Sequence, residues 1–165
     1  MSVQPTASEP ARRPPRPRPG WLQLPKAERR ATLATAVLVP IFHVLVRVIV
    51  YRRTMAAAEW TATRWPFRRP SSQPTETIEC LRLATARVQR YSPLPGNCLS
   101  RSLASWWSLR RRGLAPDLRL GVSLAGGDFA AHAWVELEGR VLNDTATGSE
   151  RYRPLAWGTG LLPRR

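Results

Sequence analysis

The sequence predicts an α+β fold, with helices packed on a C-terminal antiparallel sheet, and three observations point to it. Apolar residues recur at helical spacing through "ATLATAVLVPIFHVLVRVIVY", "TETIECLRLATARVQRY" and "CLSRSLASWWSLRRRG". At "DLRLGVSL" the period falls to two, as in a half-buried strand. "FAAHAWVELEGRVLND" then alternates on both sides of Leu-Glu-Gly, the pattern of a hairpin. Helices segregated to one side of such a sheet bury both sets of apolar faces together.

With 165 residues the chain has room for one modest core and a tail. Residues 1–20, which hold "PARRPPRPRPG", read as a disordered arm, because prolines lack amide donors and the arginines repel one another. Residues 21–70 read as a helical hydrophobic region and linker, and 71–165 as the core that carries the chemistry. The net charge is +15 and Lys26 is the only lysine, so the positive field is almost wholly arginine. Such a field attracts an acidic peptide, an anionic membrane face or nucleic acid; a genome that writes its basic positions as arginine gives the same composition. There is no zinc-finger spacing, RNP-type aromatic motif or heptad-coupled basic region, so nucleic acid is not the expected partner. Two cysteines, Cys80 and Cys98, are too few for a disulfide framework, and no secretory signal opens the chain. The expected location is the cytoplasm, with 31–51 as the segment for any membrane association.

In the first helix Leu33, Val37, Ile41, Val44 and Val48 share one side, and Thr32, Thr35, His43 and Arg47 gather on another. This predicts an amphipathic helix packed on the core. A membrane-surface helix is the alternative, and a true span is the third, although the uncharged run from Ala31 to Val46 falls short of the roughly 20 residues that a bilayer requires. Pro40 is expected to kink or divide the helix. "RWPFRRPSSQP", Arg64 to Pro74, reads as a linker. In the next helix Ile78, Leu81, Ala84 and Val88 form the buried stripe, Glu76 and Glu79 sit near the positive end of the dipole, and Cys80 reads as structural. After Cys98 the stripe Leu99, Leu103, Trp106 and Trp107 runs to Arg110–Arg112, which suit the negative helix end, and to Gly113, which suits a left-handed stop. Leu118, Leu120, Val122 and Leu124 face one side of the first strand, and "AGGD" is a turn. In the hairpin Ala133, Val135 and Leu137 lie on one face and His132, Trp134 and Glu136 on the other.

A nucleophilic thiol needs a lowered pKa, a base within reach and a group that orients the base. Cys98 follows Pro95-Gly96-Asn97 at a helix start, where unpaired N–H groups favour thiolate and can hold an oxyanion. Of two histidines, His43 lies in the apolar helix, which leaves His132, flanked by the small Ala131 and Ala133, as the base. Among the nearby aspartates Asp117 and Asp128 fall in turns, whereas Asp144 ends the strand returning past His132. A three-residue loop Leu137–Gly139 places Asp144 opposite His132. A two-residue Glu138-Gly139 turn places it opposite Ala133 on the other face, so the pairing then requires a compensating bulge. A buried cysteine and a structural histidine are the plain alternative to this triad.

The segment "CLSRSLASWWSLRRRGLAPDLRLGVSLAGGDFAAHAWVELEGRVLND" resembles the transglutaminase-like cysteine proteases that remove the leader in lasso peptide biosynthesis. The matching features are a helix-initial cysteine before "L.RSLA", an arginine-rich helix end with glycine, an "L.IGV"-like strand, and "AHAWVE" followed by a "G.V.ND"-like strand. The resemblance covers roughly the last 70 residues. It implies a papain- or transglutaminase-like core in which Cys98 is the nucleophile, His132 the base and Asp144 the acid. It implies hydrolysis of one peptide bond in a lasso precursor, releasing leader from core through a thioester and freeing the core amine for a separate lasso cyclase. It calls for no cofactor and no metal. Leader recognition in that family belongs to a winged-helix-like module with a three-stranded sheet. Nothing in residues 1–74 alternates with period two, so the module is expected as a separate partner protein. Papain-like enzymes also place an upstream glutamine in the oxyanion hole; here the nearest, Gln89, lies on the preceding helix and is left unassigned. Two rival readings are a transglutaminase-type acyltransferase, which passes through the same thioester, and a noncatalytic basic binding module.

Overall fold

The computed structural model describes residues 20–49, 51–65, 74–94, 96–124, 128–144 and 151–155. A 3-10 turn, Trp21–Gln23, leads into four helices, α1 (Lys26–Val48), α2 (Tyr51–Arg64), α3 (Pro74–Tyr91) and α4 (Cys98–Arg110). Four strands follow, β1 (Asp117–Ser123), β2 (Ala130–Leu137), β3 (Arg140–Val141) and β4 (Arg153–Pro154). They form one antiparallel sheet in the order β3-β2-β1-β4. The fold is α+β, helices first and sheet last, as the change of period predicts. The arm at residues 1–19 and the "AGG" turn at 125–127 lie outside the described residues.

Helix α4 is the centre of the packing. Leu103, Trp106 and Leu109 are fully buried against Leu118 of β1 and Val135 of β2, and Val39, Phe42, Ala58, Leu81 and Val88 bring α1, α2 and α3 into the same cluster. Burying aliphatic and indole side chains between helix and sheet is the main favourable contribution here, about 1.5–3 kcal/mol for each large side chain. The indoles enter the core with their N–H groups satisfied: Trp106 Nε1 donates to the Pro116 carbonyl (3.0 Å) and Trp107 Nε1 to Thr61 Oγ1 (2.9 Å). Helix α4 ends as its sequence suggests, with Gly113 at φ +79°. In α3 the stripe Leu81, Ala84 and Val88 is buried and Ile78 packs at its margin.

Two expectations for the first helix need correction. The division at Pro40 does not occur: α1 runs unbroken for 23 residues with Pro40 inside it, and the break falls after Val48, before α2. The amphipathic pattern is real, but its sides are exchanged. Thr32 and Thr35 are buried, Thr35 at 1% exposure, while Leu33, Val37, Ile41, Val44 and Val48 are 47–78% exposed. A threonine can sit inside because its hydroxyl bonds the carbonyl one turn back, as Thr32 Oγ1 does to Glu28 O at 2.8 Å. The inner side also carries an ion pair of Glu28 with Arg87 of α3. Val39 and Phe42, flanked by Ala36, Leu38, Leu45 and Val46 and not by the longer stripe, supply the apolar contact with the core.

Candidate active site

Helix α4 begins at Cys98 because Asn97 caps it. Asn97 Oδ1 accepts from the Ser100 N–H (2.8 Å), and Ser100 Oγ accepts from the Asn97 N–H (2.9 Å). This reciprocal cap fixes the first turn and takes up the third helical amide. The Arg101 N–H continues the helix to Asn97 O, and Arg101 Nη1 ties back to Gly96 O at 2.9 Å. Among the described residues, the Cys98 and Leu99 N–H groups have no acceptor, so the first two amides stay directed at the space before the helix. The thiol itself is partly buried and free.

One turn along α4, on the same face as Cys98, the fully buried Ser102 seats the helix on the sheet. Its Oγ donates to the carbonyl of Ala133 (2.9 Å), the residue after His132, and accepts from Asn143 Nδ2 (2.8 Å). Cys98 lies about 6 Å back along the helix axis from that contact. The nucleophile candidate and the base candidate are therefore on elements joined within one helical turn of both. Among the described residues no hydrogen bond links Cys98 to His132.

His132 and Asp144 are in direct contact, with His132 Nε2 and Asp144 Oδ2 2.6 Å apart. A carboxylate can only accept, so the proton of this bond is on Nε2. The pair is about three-quarters buried, at 22% and 23% exposure. Neither rival acid does this: Asp117 lies at 3.8 Å from Arg119, and Asp128 is exposed. His43, the other histidine, sits on α1 with its Nδ1 buried and unpartnered.

The route by which Asp144 reaches His132 departs from the expected three-residue loop. Leu137 pairs with Arg140 and Glu136 with Val141, which is the register of a two-residue turn. Glu138 and Gly139 both have positive φ, 51° and 75°, as a type I′ turn requires. Carried further, this register would put Asp144 on the wrong face. It is not carried further: after the Leu142 N–H bonds Val135 O (2.9 Å), the Val135 N–H turns to Asn143 Oδ1 (2.8 Å) instead of a backbone carbonyl. The amide side chain of Asn143 replaces the next rung of the ladder, the backbone leaves the strand, and Asp144 swings onto the His132 face.

The imidazole is held from its sides as well. Tyr152 stacks on it at 5.0 Å between centroids and Trp134 at 6.1 Å. Trp134 Nε1 donates to Glu136 Oε1 (2.8 Å), and Glu136 Oε2 receives Arg119 Nε (2.9 Å), so the ring beside His132 is anchored through two charged residues. Gly121 lies opposite His132 across the β1–β2 ladder, where a Cβ would fall 2.8 Å from Tyr152 and 2.9 Å from the Trp134 ring. Only glycine leaves both rings that place.

The second cysteine has a different setting. Cys80 lines a small cavity of about 190 Å³ with Ala27, Ala31, Glu76, Thr77, Leu81 and Arg112. Burial pushes its thiol pKa up, and Glu28, Glu76 and Glu79 push it further, against a smaller opposite effect of Arg112. Reading the sequence alone missed Ser102, Asn143, Tyr152 and the role of Trp134. "ND" before the end of a hairpin was a usable signal for Asn143; Tyr152 had none, since it arrives with β4, which pairs with β1 at Gly121 and Val122. Among the described residues no cluster of His, Cys, Asp and Glu could hold a metal ion.

A family model described as the transglutaminase-like superfamily matches residues 41–156, a span that takes in Cys98, His132, Asp144 and Tyr152. No curated protein and no solved structure matches the chain. The superfamily typically consists of cysteine-based enzymes, cysteine peptidases and acyltransferases among them. A helix-initial cysteine packed on an antiparallel sheet with a paired histidine and aspartate agrees with that match over most of the chain, and the chain belongs to the transglutaminase-like superfamily.

Proposed function

We propose that the protein is a cysteine peptidase that removes the leader from a lasso peptide precursor, with Cys98 as nucleophile, His132 as base and Asp144 as orienting acid. The observation that carries the catalytic part is the 2.6 Å bond between His132 Nε2 and Asp144 Oδ2 on a strand to which the Cys98 helix is tied by Ser102. The assignment to lasso precursors rests on the resemblance of the Cys98 to Asp144 segment.

With Nε2 committed to Asp144, Nδ1 of His132 takes the thiol proton. Cys98 Sγ attacks the scissile carbonyl, whose oxygen gains negative charge beside the free Cys98 and Leu99 amides at the helix start. Collapse of the tetrahedral species breaks the C–N bond, and the proton on Nδ1 leaves with the core peptide's amine. Water then gives a proton to Nδ1 and its oxygen to the thioester, which returns Cys98 to the thiol and releases the leader carboxylate. Asp144 keeps the ring oriented and stabilises the imidazolium in both halves without taking the proton.

No strand precedes β1 among the described residues, and leader recognition is assigned to a separate winged-helix-like protein. The test is incubation of the full chain with a lasso precursor and such a partner, read by mass. Free leader and free core support the reading; a conjugate of leader with an added amine indicates acyl transfer; unchanged precursor refutes the peptidase assignment.

A further inference from the structure

Helix α1 presents its aliphatic side to solvent. Leu33, Val37, Ile41, Val44 and Val48 form one continuous exposed stripe, roughly 22 Å long at 1.5 Å per residue, and no acidic residue lies on it. Cations stand at both ends. Lys26 and Arg30, exposed on the same side by their seven- and three-residue spacing to Leu33, close one end; Arg47, with Arg52 and Arg53 at the start of α2, closes the other. The only acids in α1 and α2 are Glu28 and Glu59, and each is engaged by an arginine of another helix, Arg87 and Arg110. Trp21 and Leu22, just ahead of α1, are exposed as well.

We propose that this face of α1 docks the protein on an anionic lipid bilayer, the helix lying in the plane of the interface. Three features favour lipid over a protein partner. The stripe is one helix wide and purely aliphatic, without the Trp, Tyr or Arg anchors that dominate protein hot spots. It is framed at both ends by long cationic side chains, which extend toward headgroups while their stems follow the apolar surface. Six exposed or partly exposed cations on α1 and the start of α2, Lys26, Arg29, Arg30, Arg47, Arg52 and Arg53, complement an anionic surface. By length and composition α1 could cross a membrane, and only 28% of its apolar window is buried. Crossing would pull it off α3 and α4 and carry the Glu28–Arg87 pair and Thr35 into hydrocarbon, whereas lying flat leaves that inner side packed as it is.

The full-length protein is sedimented with vesicles of phosphatidylcholine alone and of equal parts phosphatidylcholine and phosphatidylglycerol, at low and high salt. The expected result is binding to the anionic vesicles, weakened by salt and nearly absent on phosphatidylcholine. Val37→Asp with Ile41→Asp should cut binding by about tenfold or more, and Lys26→Gln with Arg30→Gln by roughly tenfold on anionic vesicles. All four positions are exposed, and circular dichroism checks the fold; should the aspartate variant not fold, the glutamine variant carries the test alone. The proposal is overturned if the wild type ignores anionic vesicles, if phosphatidylcholine binds it equally well, or if the variants bind as the wild type does. It is also overturned if the stripe instead joins two copies of the chain or holds the leader-recognition protein while vesicles are ignored.

Discussion

Cys98 and Cys80 are both partly buried thiols on neighbouring helices of one small core, and their surroundings differ in every respect that governs reactivity. Cys98 is the first residue of its helix, beside two amides with no acceptor among the described residues and one turn from the contact that seats the helix on the His132 strand. Cys80 is in mid-helix, where burial first and then Glu28, Glu76 and Glu79 hold its proton more firmly.

The largest expected effect tests that contrast directly. Cys98→Ala should remove cleavage, a loss on the order of 10⁶ in kcat by comparison with a serine protease that loses its nucleophile, whereas Cys80→Ala should cleave at nearly the wild-type rate; initial rates by mass spectrometry decide. Next, Asp144→Asn should lower turnover by about 10²–10⁴ with the fold intact, because an amide side chain no longer enforces the Nε2–H tautomer. Equal damage from Asp117→Asn would assign the acid elsewhere.

A smaller effect is expected at Asn143, a positioning residue whose amide bonds both the Val135 N–H and Ser102. Asn143→Leu leaves the Val135 N–H without its partner and removes one of the two bonds of Ser102, about 1–3 kcal/mol less stability in a urea titration, and frees Asp144 to drift, so kcat should fall while KM stays close to its original value. A purely structural Asn143 would lower stability and leave kcat of the folded fraction unchanged. At Cys80 the raised pKa means that thiolate appears only above the ordinary thiol range. Its alkylation rate by iodoacetamide should therefore rise at higher pH than for a free thiol, and Glu76→Gln should move that midpoint down. The smallest effect belongs to the turn: Glu138 sits at φ 51°, so Glu138→Asn should add roughly 0.5 kcal/mol of stability, read as a higher urea midpoint.

Much of this was legible from the sequence, and its misses have definite causes. The change from period 3.6 to period two located α3, α4, β1 and β2, and the choice of Asp144 over Asp117 and Asp128 followed from its place at the end of the returning strand. Helix α1 was legible as an amphipathic helix but not in its orientation. Periodicity finds two faces without saying which is inside, and threonines that bond their own backbone can take the inner one. The hairpin register was ambiguous because Glu-Gly suits a two-residue turn while Asp144 required the other face. Asn143 resolves the conflict with a side-chain amide in place of a rung, which no pattern of apolar residues encodes.

The contacts that bring the Cys98 helix to the His132 strand are long in sequence, whereas the His132–Asp144 pair spans only 12 residues. Ser102 reaches Ala133 and Asn143, 31 and 41 residues away, and Tyr152 comes to His132 from beyond a further strand. Helices α3 and α4 can form from their own neighbours, but the Cys98 helix and the His132–Asp144 pair meet only after those loops have closed, a step with its own entropic cost. A chain emerging from the ribosome therefore carries Cys98 without the paired and stacked His132 until Asp144 and Tyr152 have been made. Assembly of the candidate site is in that sense a late property of folding, and a copy truncated before Asp144 should keep its helices and lack the His132–Asp144 pair.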